Sequence, residues 1–157
     1  MYNPFFDFDE TLSYLSWQLL YRSLVDYIVP ANAPSSAIIA CVPDGRIVLI
    51  RRTNTEFWSL PGGEIAWGET IRKNIRRNLI AETGLELVDI KYMVGLYFPI
   101  DNSQVRSFTE VVVADVRGKI KIKDSAEVAE ACLFSLDNLP KVKKSASDRV
   151  LQLGSKA

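Results

Sequence analysis

The sequence predicts a single mixed α/β (α+β) domain, and three observations carry that prediction. Short β-branched runs bounded by turn residues recur along the chain. One charged helix with a well-marked end lies between hairpin-like stretches. Strands and helices do not alternate in the sustained way that a doubly wound sheet requires. At 157 residues the chain is the size of one domain, and one this long buries about 68–70% of the surface exposed by its unfolded form. It needs no disulfide or structural metal to hold together.

Composition excludes several classes of function. Nineteen basic residues balance 19 acidic ones, so net charge gives no long-range pull toward nucleic acid or anionic membrane, and neither is expected as a partner. A small polyanionic ligand held by local charge remains compatible. There is no histidine, which removes the commonest zinc ligand and the commonest general base near neutral pH. Cys41 and Cys132 are the only cysteines and sit in apolar runs, where a free thiol is expected to act as a small buried hydrophobe. The start MYNPFFDFDE lacks a basic segment followed by an apolar one, and no apolar run reaches transmembrane length, so a cytoplasmic location is expected.

Residues 9–28 read as a helix, with Asp9 as N-cap, Glu10 in the first turn and Pro30 beyond the end. Its apolar side, which includes Leu12, Trp17, Leu19, Tyr21, Leu24 and Ile28, is broader than one core face needs. Packing on its own domain, an arm for a homodimer and a membrane-surface helix are the readings open to it. The connector VPANAPSS follows, dividing an N-terminal aromatic helix (residues 1–32) from the main domain (residues 33–157). Ala37–Val42 and Ile47–Arg52 flank Pro43-Asp44-Gly45 and read as a hairpin. Arg51 and Arg52 close its second strand, either as a solvated strand end or as guanidiniums able to hold a phosphate bidentately.

A Leu60-Pro61-Gly62-Gly63 turn leads into a helix expected from about Gly68 to Thr83, with Gly84 as its left-handed cap and Leu85 as the accompanying apolar contact. Residues 85–98 alternate in part and suggest a strand pair, Pro99–Ser103 a turn, and Phe108–Val116 a strong strand. Lys119–Lys123 (KIKIK) alternates strictly and reads as a further strand. Glu127 and Glu130 fall in a loop or helical turn before a last strand at Cys132–Leu136, and Ser145 or Ser147 caps a terminal helix.

The turn and helix have the chemistry of an anion and metal site. Backbone groups of a Gly-Gly turn approach a ligand closely, and a turn feeding a helix presents unpaired N–H groups. Positions 78, 81 and 82 fall within an arc of about 100° on the helix. Three carboxylates there would bind magnesium; this chain supplies Asn78, Ala81 and Glu82. Magnesium keeps several waters and accepts substrate phosphate oxygens, so one surviving carboxylate weakens the site without abolishing it. The bland alternative makes Glu82 an exposed helix residue and Glu69 a favourable charge in the first turn.

The spacing of Gly63, Glu69, Arg77 and Glu82-Thr83-Gly84-Leu85 resembles the Nudix box, G-x5-E-x7-R-E-U-x-E-E-x-G-U, where U is a bulky aliphatic. Arg51-Arg52, Trp58 and the LPGG turn resemble the lead-in to that box, and Glu127 with FSLDNLP resembles the final strand, so the likeness covers about residues 37–140. It implies an α/β/α sandwich around a mixed sheet, with the N-terminal helix as an addition. It further implies a Mg2+-dependent, or Mn2+-dependent, hydrolase of a nucleoside diphosphate linked to another moiety, such as a nucleotide-sugar. Carried over, Gly63 gives a carbonyl to the metal, Glu82 is a ligand, and Glu69 and Arg77 form the salt bridge that ties loop to helix. Glu127 is an additional ligand or the base, Arg52 a phosphate clamp, and Phe57 and Tyr97 stack on a base. Asn78 replaces a box glutamate and can still accept a hydrogen bond or offer a carbonyl oxygen, but cannot act as a base. The alanine before the surviving glutamate, together with Arg52-Thr53-Asn54, is similar to the GDP-mannose mannosyl hydrolase branch; the missing histidine and Glu64 after the Gly-Gly are not. The alternative is a catalytically silent Nudix domain that binds a nucleotide or a protein partner.

Overall fold

A computed structural model describes residues 34–97, residues 108–143 and Leu151. The expected N-terminal helix, the turn at Pro99–Ser103 and the capping serines of the terminal helix lie outside these residues. Seven strands form one mixed sheet: β1 (Ser35–Cys41), β2 (Ile47–Arg52), β3 (Trp58–Ser59), β4 (Gly62–Glu64), β5 (Glu86–Tyr97), β6 (Thr109–Arg117) and β7 (Val128–Phe134). A single helix among the described elements, α1 (Ile71–Thr83), sits between β4 and β5 in the chain. The sheet order is β3-β2-β1-β6-β5, with β4 added to β1 and β7 to β2. The β1–β6 pairing is parallel and the others are antiparallel.

Alternation along the strands divides the core in two. Ile38 and Ala40 of β1, Val48 of β2, and Val112, Ala114 and Val116 of β6 pack with Ile71, Ile75 and Leu79 of α1. Ala37, Ile47, Leu49 and Val111 face the other way and meet Val142 and Leu151. Leu151 is itself helical, and it is the one described residue of the expected terminal helix.

The structure modifies several expectations. The hairpin at Pro43-Asp44-Gly45 forms, with Val42 N–H donating to the Arg46 carbonyl at 3.0 Å, but β1 and β2 pair only at Cys41 and Ile47. Beyond that point β1 is taken by β4 and β6, and β2 by β7. Residues 86–97 are one 12-residue strand rather than a pair. Three register shifts against β6 interrupt its period, and each bulge breaks the alternation that a sequence pattern relies on. The last strand begins at Val128, so Glu130 lies within β7, opposite Arg51. Cys132 is exposed, not buried, and Cys41 is half-buried; burial and the Asp115 carboxylate raise the Cys41 thiol above its usual range.

The helix begins later than Gly68. Thr70 is its N-cap, with extended backbone and its Oγ1 accepting Lys73 N–H at 3.2 Å. At the other end Gly84 adopts the left-handed conformation (φ 74°) and its N–H donates to the Ile80 carbonyl. The KIKIK segment is not a strand. Lys121 N–H reaches the Thr83 carbonyl at 2.8 Å, and Lys123 and Asp124 N–H reach that of Ala81 at 3.0 and 2.9 Å. Carbonyls of the last helical turn have no intrahelical donors, and this segment supplies them. A Cβ at Gly84 would stand 2.3 Å from the Lys121 carbonyl oxygen, so side chain and cap cannot coexist. Gly84→Ala is therefore expected to lower stability by roughly 1–3 kcal/mol, read as a lower urea midpoint with an unchanged m-value.

Candidate active site

Two groups of polar side chains flank the turn between β3 and α1. The first fastens the loop before the helix. Glu69, just ahead of the N-cap, turns back to Arg77 in a two-pronged pair, Nε to Oε1 at 2.8 Å and Nη2 to Oε2 at 2.9 Å. Arg77 Nη2 also donates to the Glu64 carbonyl at 3.0 Å. Glu69 Oε2 accepts Ala66 N–H and Asn74 Nδ2 as well. The Arg77 guanidinium, with Asn74 and Ala66, holds the Glu69 carboxyl down at about 2 against the cost of its burial.

Beneath this pair lies a buried amide relay that sequence reading passed over. Asn74 is fully buried; its Nδ2 donates to the Glu64 carbonyl at 2.7 Å and its Oδ1 accepts Ser36 Oγ and Asn78 Nδ2. The visible signal was an amide one turn before Asn78 on the face of Ile71 and Ile75. Asn78 is buried too, and its Oδ1 packs 3.1 Å from where a Cβ on Gly63 would stand. The position that might have carried a box carboxylate thus serves as packing under the Gly-Gly turn.

The second group is the charged one. Val48, Ile50 and Arg52 alternate onto the helix-facing side of β2, which brings Arg52 to the end of α1. Its Nη2 donates to Glu82 Oε1 at 2.7 Å and to the Gly62 carbonyl at 3.0 Å, and its Nη1 lies 3.5 Å from Glu127 Oε2. Glu82 Oε2 accepts Gly62 N–H at 2.8 Å. Gly62 (φ 146°) runs so close to β1 that an added Cβ would meet the Ser36 carbonyl oxygen at 2.0 Å, so only glycine allows this approach. Glu82 has a side chain 5% exposed, against 68% for Glu127. Burial raises the Glu82 carboxyl above the usual range, opposed by Arg52 and the Gly62 N–H and assisted by the Glu127 carboxylate.

Glu127 owes its place to the segment that caps the helix. After Asp124 bonds Ala81, Val128 N–H donates to the Asp124 carbonyl and Thr53 N–H to the Glu127 carbonyl at 2.9 Å, which docks residue 127 beside β2. Arg51 points away and pairs with Glu130 at 3.1 Å, so of the two arginines only Arg52 joins the site. Gly62, one residue before Gly63, is the turn glycine whose carbonyl reaches the cluster. Phe57 and Tyr97 are engaged elsewhere: the Lys141 ammonium sits 4.5 Å over the Phe57 ring, and Tyr97 packs with the cluster on the sheet face opposite α1.

The model of the NUDIX domain matches residues 31–153, most of the chain. The chain belongs to the Nudix hydrolase family. Among curated Nudix relatives it is 36% identical over 121 residues to an ADP-ribose pyrophosphatase of Methanocaldococcus jannaschii, covering 74% of this chain and 68% of that protein. It is 25% identical over 126 residues to the NAD-capped RNA hydrolase NudC of Shigella dysenteriae, covering 79% of this chain but 47% of that protein. The crystal structure of a MutT NUDIX hydrolase from Burkholderia pseudomallei superposes with a TM-score of 0.63 at 25% identity, covering 77% of this chain and 98% of that one.

The Nudix loop-to-helix pair is testable by pH. A carboxyl depressed in the folded state stabilises above its unfolded value, near 4.5, and that contribution is lost as pH falls toward about 2. Glu69→Gln is expected to cost on the order of 2 kcal/mol at pH 6. The difference from wild type should shrink between pH 4.5 and pH 2, followed by urea melts at a series of pH values.

Proposed function

We propose that this Nudix protein is a divalent-metal-dependent hydrolase of a nucleoside diphosphate linked to a second moiety, a nucleotide-sugar or an ADP-ribose-like compound. The observation that carries the reading is the convergence of oxygens on Arg52: the Glu82 carboxylate, the Gly62 carbonyl and the Glu127 carboxylate lie 2.7 to 3.5 Å from one guanidinium. A positive group already sits among hard oxygen donors, which is the donor chemistry of magnesium or manganese. Among the described residues no group of three acidic or sulfur ligands forms. Two carboxylates with carbonyl oxygen and substrate phosphate suffice for magnesium, which keeps several waters.

Glu82 and Glu127 would hold the ion, with a carbonyl of Gly62 or Gly63. When bound, the ion draws charge from the phosphoryl oxygens and lowers the pKa of a coordinated water. Arg52 binds the diphosphate through its fork and neutralises charge as it builds on the leaving group. Glu127, the exposed acid of the cluster, would accept the proton of the attacking water on the carboxylate oxygen not given to the ion. Glu69, Arg77 and the Asn74–Asn78 relay hold the Gly-Gly turn in place and do not touch the reacting atoms. Among the described residues no helix is long and apolar enough to cross a membrane.

The relative named for ADP-ribose supports a substrate of this class. A second reading, a silent Nudix domain that binds its nucleotide without consuming it, is favoured by one observation: both oxygens of Glu82 are already engaged.

Turnover separates the two. The protein should be incubated with ADP-ribose, nucleotide-sugars including GDP-mannose, dinucleoside polyphosphates, oxidised deoxynucleotides and NAD-capped RNA, with Mg2+ or Mn2+. Glu82→Gln should lower kcat by on the order of 10²–10³-fold, and Glu127→Gln by roughly 10²-fold. If no substrate is turned over above the double variant, the hydrolase reading falls. Ligand-dependent thermal shifts without product would then establish the binding reading.

A further inference from the structure

We propose that Arg52 is the resident cation of this site and sets the order of binding: the diphosphate draws the guanidinium off Glu82, and the metal ion takes the carboxylate in its place. The inference rests on the metal reading of Glu82 given above. Arg52 and a metal ion need the same oxygens. Glu82 Oε1 is held by Arg52 Nη2 at 2.7 Å, Oε2 is held by the Gly62 N–H at 2.8 Å, and the side chain is 5% exposed. The Gly62 carbonyl is held by that same Nη2 at 3.0 Å, and Glu127 faces Nη1 at 3.5 Å. A divalent ion entering here meets a fixed positive charge within contact distance, and the two repel strongly in a partly dry site.

No other arrangement relieves that conflict as directly as moving Arg52 onto phosphate. The guanidinium can give way by changing partners. It is 30% exposed, and diphosphate oxygens would offer it a bidentate partner in exchange for Glu82. Breaking the Arg52–Glu82 pair without a replacement would leave a buried carboxylate unpaired. Metal alone therefore binds weakly, and metal with diphosphate binds well. By linkage the diphosphate must gain from the metal by the same factor.

The test is a titration of the full chain with Mn2+ followed by electron paramagnetic resonance, which counts free ion and does not depend on turnover. Wild type, Arg52→Lys and Arg52→Gln are each titrated with and without a methylene-bridged, non-hydrolysable ADP-ribose analogue. Without analogue, Arg52→Gln should bind Mn2+ on the order of tenfold more tightly than wild type. Arg52→Lys retains the charge but loses the fork, so tighter binding there, by about threefold or more, reads the vacated oxygens and not the net charge. The analogue should tighten Mn2+ binding more in wild type than in either variant. Equal Mn2+ affinity in wild type and Arg52→Lys overturns the proposal, and so does an analogue effect that is unchanged by both substitutions. If Arg52→Gln does not fold, as circular dichroism will show, Arg52→Lys carries the test alone. Adding Glu82→Gln separates the two levels: if it leaves Mn2+ binding intact in the Arg52→Lys background, the ion sits elsewhere and the metal reading of Glu82 fails first.

Discussion

The buried carboxylate of Glu82 is the contact on which the site depends, because it joins three parts of the chain that share no local connection. It comes from the last turn of α1, accepts the N–H of Gly62 at the start of β4, and pairs with Arg52 at the end of β2. A buried charge that loses its partners costs several kcal/mol, so these elements are held to one relative position. The same requirement explains Gly62, since a Cβ there would stand 2.0 Å from the Ser36 carbonyl oxygen. Structure and chemistry draw on one group here. The carboxylate that orders the turn is also the one that would meet a metal.

Around that contact the molecule separates support from reactivity. Glu69 and Arg77 clamp the loop, and Asn74 passes hydrogen bonds between the Glu64 carbonyl, Ser36 and Asn78. These groups are satisfied by one another and leave little to offer a ligand. Glu127 differs: it is 68% exposed, and its carboxylate makes a long contact of 3.5 Å to Arg52. A carboxylate held in place by its backbone and free at its tip is suited to proton transfer. Its backbone is placed by Thr53 N–H and by the segment that caps the helix, so helix termination and the position of the acid are one structural event.

Much of this architecture was readable from residue order. Gly84 as helix cap, the strands around Pro43-Asp44-Gly45 and the β6 valines follow from local rules, because each involves residues near in sequence, and the Glu69–Arg77 pair was implied by the resemblance to the Nudix box. The errors have a common origin. KIKIK has a strand's alternation, yet its donors go to the carbonyls of α1, because the unpaired end of a helix competes with a sheet edge for the same N–H groups. Residues 86–97 looked like two strands because bulges shift their period. Nothing local to Asn78 showed that it would be buried beneath Gly63 and donate to Asn74.

By itself the sequence determined the family, the mixed α/β class, and that Glu82 is the carboxylate left among positions 78, 81 and 82, since these rest on residue types at set spacings. The resemblance singled out Arg52 of the two adjacent arginines, but tertiary structure alone decided that Arg51 turns to Glu130, that Gly62 supplies the carbonyl that Arg52 holds, and that Glu127 and Glu82 meet the same guanidinium. Strand parity and the register shift between Arg51 and Arg52 in the β2–β7 pairing send those side chains to different partners. That shift depends on how a segment 75 residues away in sequence from Arg52 docks on the end of a helix. No local pattern encodes such a contact, because its energy exists only once both pieces of chain are in place.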